Sequence, residues 1–192
     1  INEGLLHGIE VINDLTYSAE ALQIALDHNL TIMATSDIHG LVDWQYDIAL
    51  GGHRPLTLVF ATEKTPEAIK DALLNRRTVG FFHNLLVGRD AYLQPLLKAC
   101  FQITRAQYLD ETSVLEVEIK NNSSADMSLQ NLMPYSLHAH SDLIEVPHHG
   151  STTLQIKTRD KLDALQLHFR VLNAVTAPKT HPELKLPVKV GG

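Results

Sequence analysis

Apolar positions follow two rhythms along this chain, and the change falls near residue 98. In the first stretch, residues 8–12 (Gly-Ile-Glu-Val-Ile) read as a short buried strand. Ser18 stands at a helix-cap position, with Glu20 in the first turn and Leu22, Ala25 and Leu26 at helical spacing. Residues 30–36 are strand-like again and run into Asp37-Ile38-His39-Gly40. A further apolar strand covers 56–61, and Thr65-Pro66-Glu67 is a cap followed by proline at the first helical position. Ile69, Ala72 and Leu73 make that helix's apolar stripe, and 78–82 read as one more strand. Strand and helix alternating in this order predict an α/β portion with parallel strands over residues 1–97.

From residue 98 the period becomes two. Leu115, Val117 and Ile119 alternate with Glu116, Glu118 and Lys120 before Asn121-Asn122-Ser123-Ser124 turns the chain. Leu165, Leu167, Phe169 and Val171 alternate with Gln166, His168 and Arg170. Leu184, Leu186, Val188 and Val190 repeat the pattern, with Pro187 outward, as an edge strand permits. Several half-buried strands with polar turns predict an antiparallel β-sandwich over residues 98–192. The expected boundary lies between residues 97 and 101.

Composition narrows the chemistry. The 192 residues carry 16 basic and 22 acidic side chains, a net charge of −6, and show no basic footprint for nucleic acid. No apolar run is long enough for a membrane span. The single cysteine, Cys100, excludes an internal disulfide framework and a cysteine-based zinc knuckle. Any metal would therefore be held by histidine and carboxylate. The first residue is Ile1, so the absence of a leader peptide says nothing about the compartment.

Asp37-Ile38-His39 is the most informative tripeptide. On an extended backbone, residues two apart point the same way, so both side chains would leave the strand's C-terminal end together. A carboxylate oxygen and an imidazole nitrogen suit Zn²⁺, Mn²⁺ or Fe²⁺. The plain alternative is a loop-capping Asp beside a surface histidine.

The context of this tripeptide resembles a known family. Gly8-Ile9-Glu10-Val11-Ile12-Asn13, a helix, and Ala34-Thr35-Ser36-Asp37-Ile38-His39-Gly40 resemble the closing section of PHP (polymerase and histidinol phosphatase) enzymes. Arg54-Pro55-Leu56-Thr57-Leu58-Val59-Phe60-Ala61, the Thr65-Pro66-Glu67 helix start and Ala72-Leu73-Leu74-Asn75-Arg76-Arg77-Thr78 continue the likeness over roughly residues 4–90. The later strands resemble a β-domain that follows this module in some bacterial phosphodiesterase-like members.

The resemblance implies the C-terminal part of a distorted (β/α)₇ barrel, followed by the sandwich, with two or three divalent metals (Zn, Mn or Fe) at the barrel mouth. It implies hydrolysis of a phosphate mono- or diester on a small molecule, with Asp37 as metal ligand and catalytic residue and His39 as ligand or phosphate contact. Arg54 is a candidate phosphate-binding side chain, or else a solvated loop residue. Glu10 would lie behind the ligands or simply beside the core. The family's opening His-x-His, its ligating Glu and its mid-barrel histidines have no counterpart in residues 1–36. The resemblance thus implies a preceding portion of the same protein, and an inactive segment on its own.

Other histidines offer weaker options. His53 and His83 adjoin strand ends and read as structural. His138-Ala139-His140 and the His148-His149 pair would be the centre of a metallo-β-lactamase-like hydrolase, but the second pair that such a site needs is missing, and 147–151 read as a hairpin turn. The remaining alternative is a non-catalytic sandwich that binds a partner, joined to a remnant of the α/β portion.

Overall fold

A computed structural model describes Ile1 and residues 3–191; Asn2 and Gly192, which fall within the expected domains 1–97 and 98–192, lie outside the described residues. The chain divides into two compact units, Ile1–Leu93 with Ala174–Thr180, and Gln94–Asn173 with His181–Gly192.

The first unit opens with β1 (Gly8–Asn13) and its short antiparallel partner β2 (Thr16–Tyr17). α1 (Ala19–Asp27) begins where the Ser18 hydroxyl oxygen accepts the Ala21 N–H at 3.0 Å, and it buries Leu22 and Ala25. β3 (Thr31–Thr35) runs parallel to β1. A loop carrying the single turn α2 (Val42–Gln45) leads to β4 (Leu56–Val59). α3 (Pro66–Leu74) is capped by Thr65, whose Oγ1 accepts the Ala68 N–H at 3.2 Å. β5 (Thr78–Phe82), β6 (Leu85–Gly88) and α4 (Asp90–Cys100) follow, and the division between the units falls within α4.

These elements correct the expected fold class. β4, β5 and β6 pair antiparallel, and the described residues do not form part of a (β/α)₇ barrel. The strand–helix–strand order over β4, α3 and β5 predicts a crossover between parallel strands. Instead Val59 pairs with Thr78, and the Arg77 carbonyl accepts the Phe60 N–H at 2.9 Å, so the chain leaves and re-enters the sheet at one end. α3 is an excursion inside a long hairpin. His83, at φ 52°, then turns β5 directly back into β6.

Threonine hydroxyls join β3 to this antiparallel group. Thr57 Oγ1 accepts the Ala34 N–H and donates to the Ala34 carbonyl, both at 2.9 Å, and Thr78 Oγ1 donates to the Ile32 carbonyl at 2.7 Å. Ala34 beside Thr57 and Ile32 beside Thr78 mean that β3 runs in the direction of β5 and against β4. The ends of β1, β3 and β5 and the start of β4 therefore share one end of the unit. Val11, Ile12, Leu22, Ile32, Phe82 and Val87 form the core beneath them.

The second unit holds β7 (Phe101–Tyr108), β8 (Val114–Asn121), β9 (Met127–Asn131), β10 (Leu143–Val146), β11 (Ser151–Lys157) and β12 (Ala164–Val171). After β13 (Ala174–Val175), which pairs with β6 in the first unit, comes β14 (Glu183–Lys189). The strands make two antiparallel sheets, ordered β11-β8-β7 and β10-β9-β12-β14. Leu115, Val117, Ile119, Leu167, Phe169, Val171, Leu184, Leu186 and Val188 are buried at every second position, while Leu165 is half-buried. Exposed Pro187 sits on edge strand β14, where its missing N–H leaves no gap in a ladder.

Asn121 closes the turn after β8. Its buried amide donates to the Ala125 and Val146 carbonyls at 2.7 and 3.1 Å, and its oxygen accepts the Ser123 N–H and hydroxyl. Every partner of this buried side chain is polar, as burial requires. The expected hairpin at 147–151 is instead a connection between sheets, because β10 pairs with β9 and β11 with β8.

Candidate functional site

Asp37 and His39 lie beyond the end of β3, and His39 Nε2 is 3.3 Å from Asp37 Oδ1. The pairing has a different origin from the strand alternation that the spacing suggested. β3 ends at Thr35, and Asp37 adopts φ 42°, a left-handed conformation open to Asp and Asn. Both side chains face water, 56% exposed for Asp37 and 85% for His39.

Beneath the turn sits Tyr46, 5% exposed. Its hydroxyl donates to the Ser36 carbonyl at 2.7 Å and lies 3.1 Å from Asp14 Oδ1, the same oxygen that accepts the Gln45 side-chain amide. Asp14 occupies the β1–β2 turn at φ 51°. Tyr46 thus ties the Asp37 turn to the end of β1. Its ring meets Phe82 edge-on at 6.1 Å. Burial pushes the Tyr46 phenol above its ordinary value, helped by its bond to Asp14 and by the charges of Asp14 and Asp37, while Arg54 acts in the opposite sense.

That pattern has a measurable consequence. A raised phenol pKa stabilises the fold fully below the unfolded value near 10, and the contribution is lost as pH rises through the folded value. Tyr46→Phe should therefore flatten the loss of stability as pH rises above about 10, and cost roughly 1–2 kcal/mol at neutral pH from the lost hydrogen bonds. Thermal unfolding across that range checks it; equal alkaline slopes in the two proteins would count against the Tyr46 assignment.

Arg54 is exposed just before β4, close enough for its charge to act on Tyr46 together with that of Asp37. His53 stacks on Phe81 at 4.6 Å, and its Nδ1 bonds the Arg54 carbonyl at 2.8 Å. His53 and exposed His83 stand 6.4 Å apart, ring to ring. Glu10 is level with Met33 rather than with the Asp37 turn, and it accepts from the Asn13 side chain at 2.6 Å.

The paired histidines of the second unit lie on exposed turns, whereas His168 stands on β12. His148 Nδ1 bonds Asp126 at 2.6 Å, His149 lies 3.3 Å from the Ser124 hydroxyl, and His138 and His140 are exposed. Among the described residues, no group of three or more His, Cys, Asp or Glu side chains is placed to hold a metal ion. Asp37 and His39 are the right kind of donors for a divalent metal, but two donors fall short of the roughly four that even a zinc centre requires.

Asp14, Gln45 and Tyr46 were not singled out from the sequence. Gln45 and Tyr46 lie in a stretch without helical or strand period. Asn13-Asp14 between two apolar runs was a turn signal that could have exposed Asp14.

Comparison with known proteins adds two findings. Residues 101–187 match the profile of DUF5001, an Ig-like domain. A crystal structure from Bacteroides vulgatus, described as a two-domain protein containing a predicted PHP-like metal-dependent phosphoesterase, matches with TM-score 0.85 and 32% identity. The match covers 97% of this chain and 54% of that one, so this chain spans about half the length of the solved relative. No curated protein matches.

Proposed function

We propose that this chain is part of a metal-dependent phosphoesterase acting on a phosphate mono- or diester, and that Asp37 and His39 contribute ligands to its metal site. The observation carrying this reading is the 3.3 Å approach of Asp37 and His39 on a solvent-facing turn, at the end of the unit that also presents Arg54. The likeness to the Bacteroides vulgatus protein supports it. Divalent metals, when bound, polarise a phosphoryl group and acidify water enough to supply a nucleophile near neutral pH. Arg54 would pair with the phosphate oxygens. Tyr46 holds the Asp37 turn through Ser36.

The remaining ligands lie on polypeptide outside these 192 residues. Two features support a docking place for it. Along residues 8–11, the side of β1 facing away from β3 carries no strand among the described residues, since β2 reaches only Ile12 and Asn13. Apolar Leu5, Leu6 and Leu15 flank that edge in the open, and Leu41, Trp44 and Leu50 are exposed on the loop that follows Asp37.

Manganese- or zinc-supplemented assays with nitrophenyl phosphate mono- and diesters test the reading. The longer polypeptide should hydrolyse one of them and the 192-residue chain neither. Equal turnover by both would overturn the shared site, and none by the longer polypeptide would overturn the phosphoesterase.

A further inference from the structure

We infer that the seam between edge strands β7 and β14 in the Ig-like unit is a binding site for an acidic peptide segment, taken up in extended form as an added strand on β7. The inference concerns the second unit alone and stands apart from the reading of Asp37 and His39.

β7 and β14 each end a sheet, so each has a neighbour on one side only. Between them lies a depression of about 470 Å³ lined by Lys98, Phe101, Ile103, Lys185, Leu186 and Pro187. A second one of about 250 Å³ continues it past Ile103 along residues 104–107 of β7 to Lys189 and Gly191. The Gly191 N–H donates to the Ala106 carbonyl at 3.1 Å and ties the two edges at the far end. Elsewhere the outer side of β7 has no strand among the described residues to receive its backbone groups, which is what an incoming strand needs.

Charge selects the occupant. No acidic side chain lines either depression, whereas the chain as a whole carries −6. Among the described residues Lys98, Lys185 and Lys189 make no hydrogen bond or close ion pair, and Lys185 acts on Glu183 through its charge alone. Arg105 is already paired with Glu116, and Glu183, the acidic residue nearest Lys185 along β14, is taken up by His168 at 2.7 Å.

Lysines on an edge ordinarily discourage strand pairing. Here they come from both α4 and β14 and surround an apolar floor of Phe101, Ile103 and Leu186, so they repel a basic strand and attract an acidic one. Pro187 removes an N–H from the β14 side, which leaves β7 as the strand that can extend its ladder. Alternating acidic and apolar residues fit such a seam, because side chains two apart share a face.

The probes are short synthetic peptides of alternating Asp and Val, Asp and Pro, and Lys and Val, titrated into the 192-residue chain and followed by amide NMR. The Asp-Val peptide should bind, shift the β7 amides and protect them from exchange, and weaken as salt is raised. The Asp-Pro peptide has the same charge but cannot form a ladder, and it should bind at least about tenfold more weakly. Combined Lys98→Glu and Lys185→Glu should weaken Asp-Val binding by about tenfold or more while the melting temperature stays put, since both lysines are exposed.

Failure of the Asp-Val peptide to bind at about millimolar concentration overturns the inference. So does equal binding of the Asp-Pro peptide, which would reduce the seam to a charged surface. β7 protection that depends on protein concentration and is indifferent to the charge reversals would assign the seam to a second copy of this chain, and would equally overturn it.

Discussion

Replacing Asp37 by Asn in the longer polypeptide should lower phosphoester hydrolysis by about a thousandfold, because the proposed reading makes its carboxylate a ligand of a metal that would supply several kcal/mol of transition-state stabilisation. The melting temperature should move by no more than about 2 °C, since the side chain is exposed and its turn tolerates Asn at positive φ. Asp37→Ala should lose as much activity and roughly 1 kcal/mol of stability besides, because alanine pays for the left-handed backbone that Asn accepts. The contrast separates chemistry from turn geometry. Wild-type turnover in the Asn variant would remove Asp37 from the active site, whatever the Ala variant did.

The largest effect on folding is expected at Phe169. It is fully buried on β12, the strand that lies between β9 and β14. Phe169→Ala should cost about 3–5 kcal/mol, the lost transfer energy of the ring plus the cavity it leaves. Urea denaturation followed by circular dichroism should show the second unit's transition at clearly lower denaturant. A loss below about 1 kcal/mol would mean that the two sheets close over the gap, and that the core there is less tightly packed than its burial implies.

Local signals in the sequence were strong where one residue type meets one backbone need. Ser18 and Thr65 cap the helices that their hydroxyls announced. The alternation around Leu115, Leu167 and Leu184 marks the buried faces of β8, β12 and β14. Pairing was far less legible, because it depends on which end of the sheet the chain returns to. Nothing in the composition of 60–77 tells an excursion from a crossover, and the meeting of Val59 with Thr78 decides it. β6 was missed because its hairpin turns on His83-Asn84 rather than on a glycine, and α4 because Pro95 interrupts its helical pattern.

The candidate site shows the same division. Asp37 and His39 are candidates on their spacing and on the likeness of the surrounding segment, and the left-handed turn at Asp37, not the strand, brings them together. The buried support of that turn was invisible for another reason. Tyr46 is ten residues from Ser36 and more than thirty from Asp14, in a loop whose course no local pattern describes.

Metal content of the longer polypeptide, measured on wild type, Asp37→Asn and His39→Ala after equilibration with Mn²⁺ or Zn²⁺ and removal of loosely held ions, addresses the central claim most directly. Wild type should retain metal, and each variant should lose at least one equivalent or bind it some ten- to a hundredfold more weakly. Unchanged metal content and affinity in both variants would contradict the assignment of Asp37 and His39 as ligands.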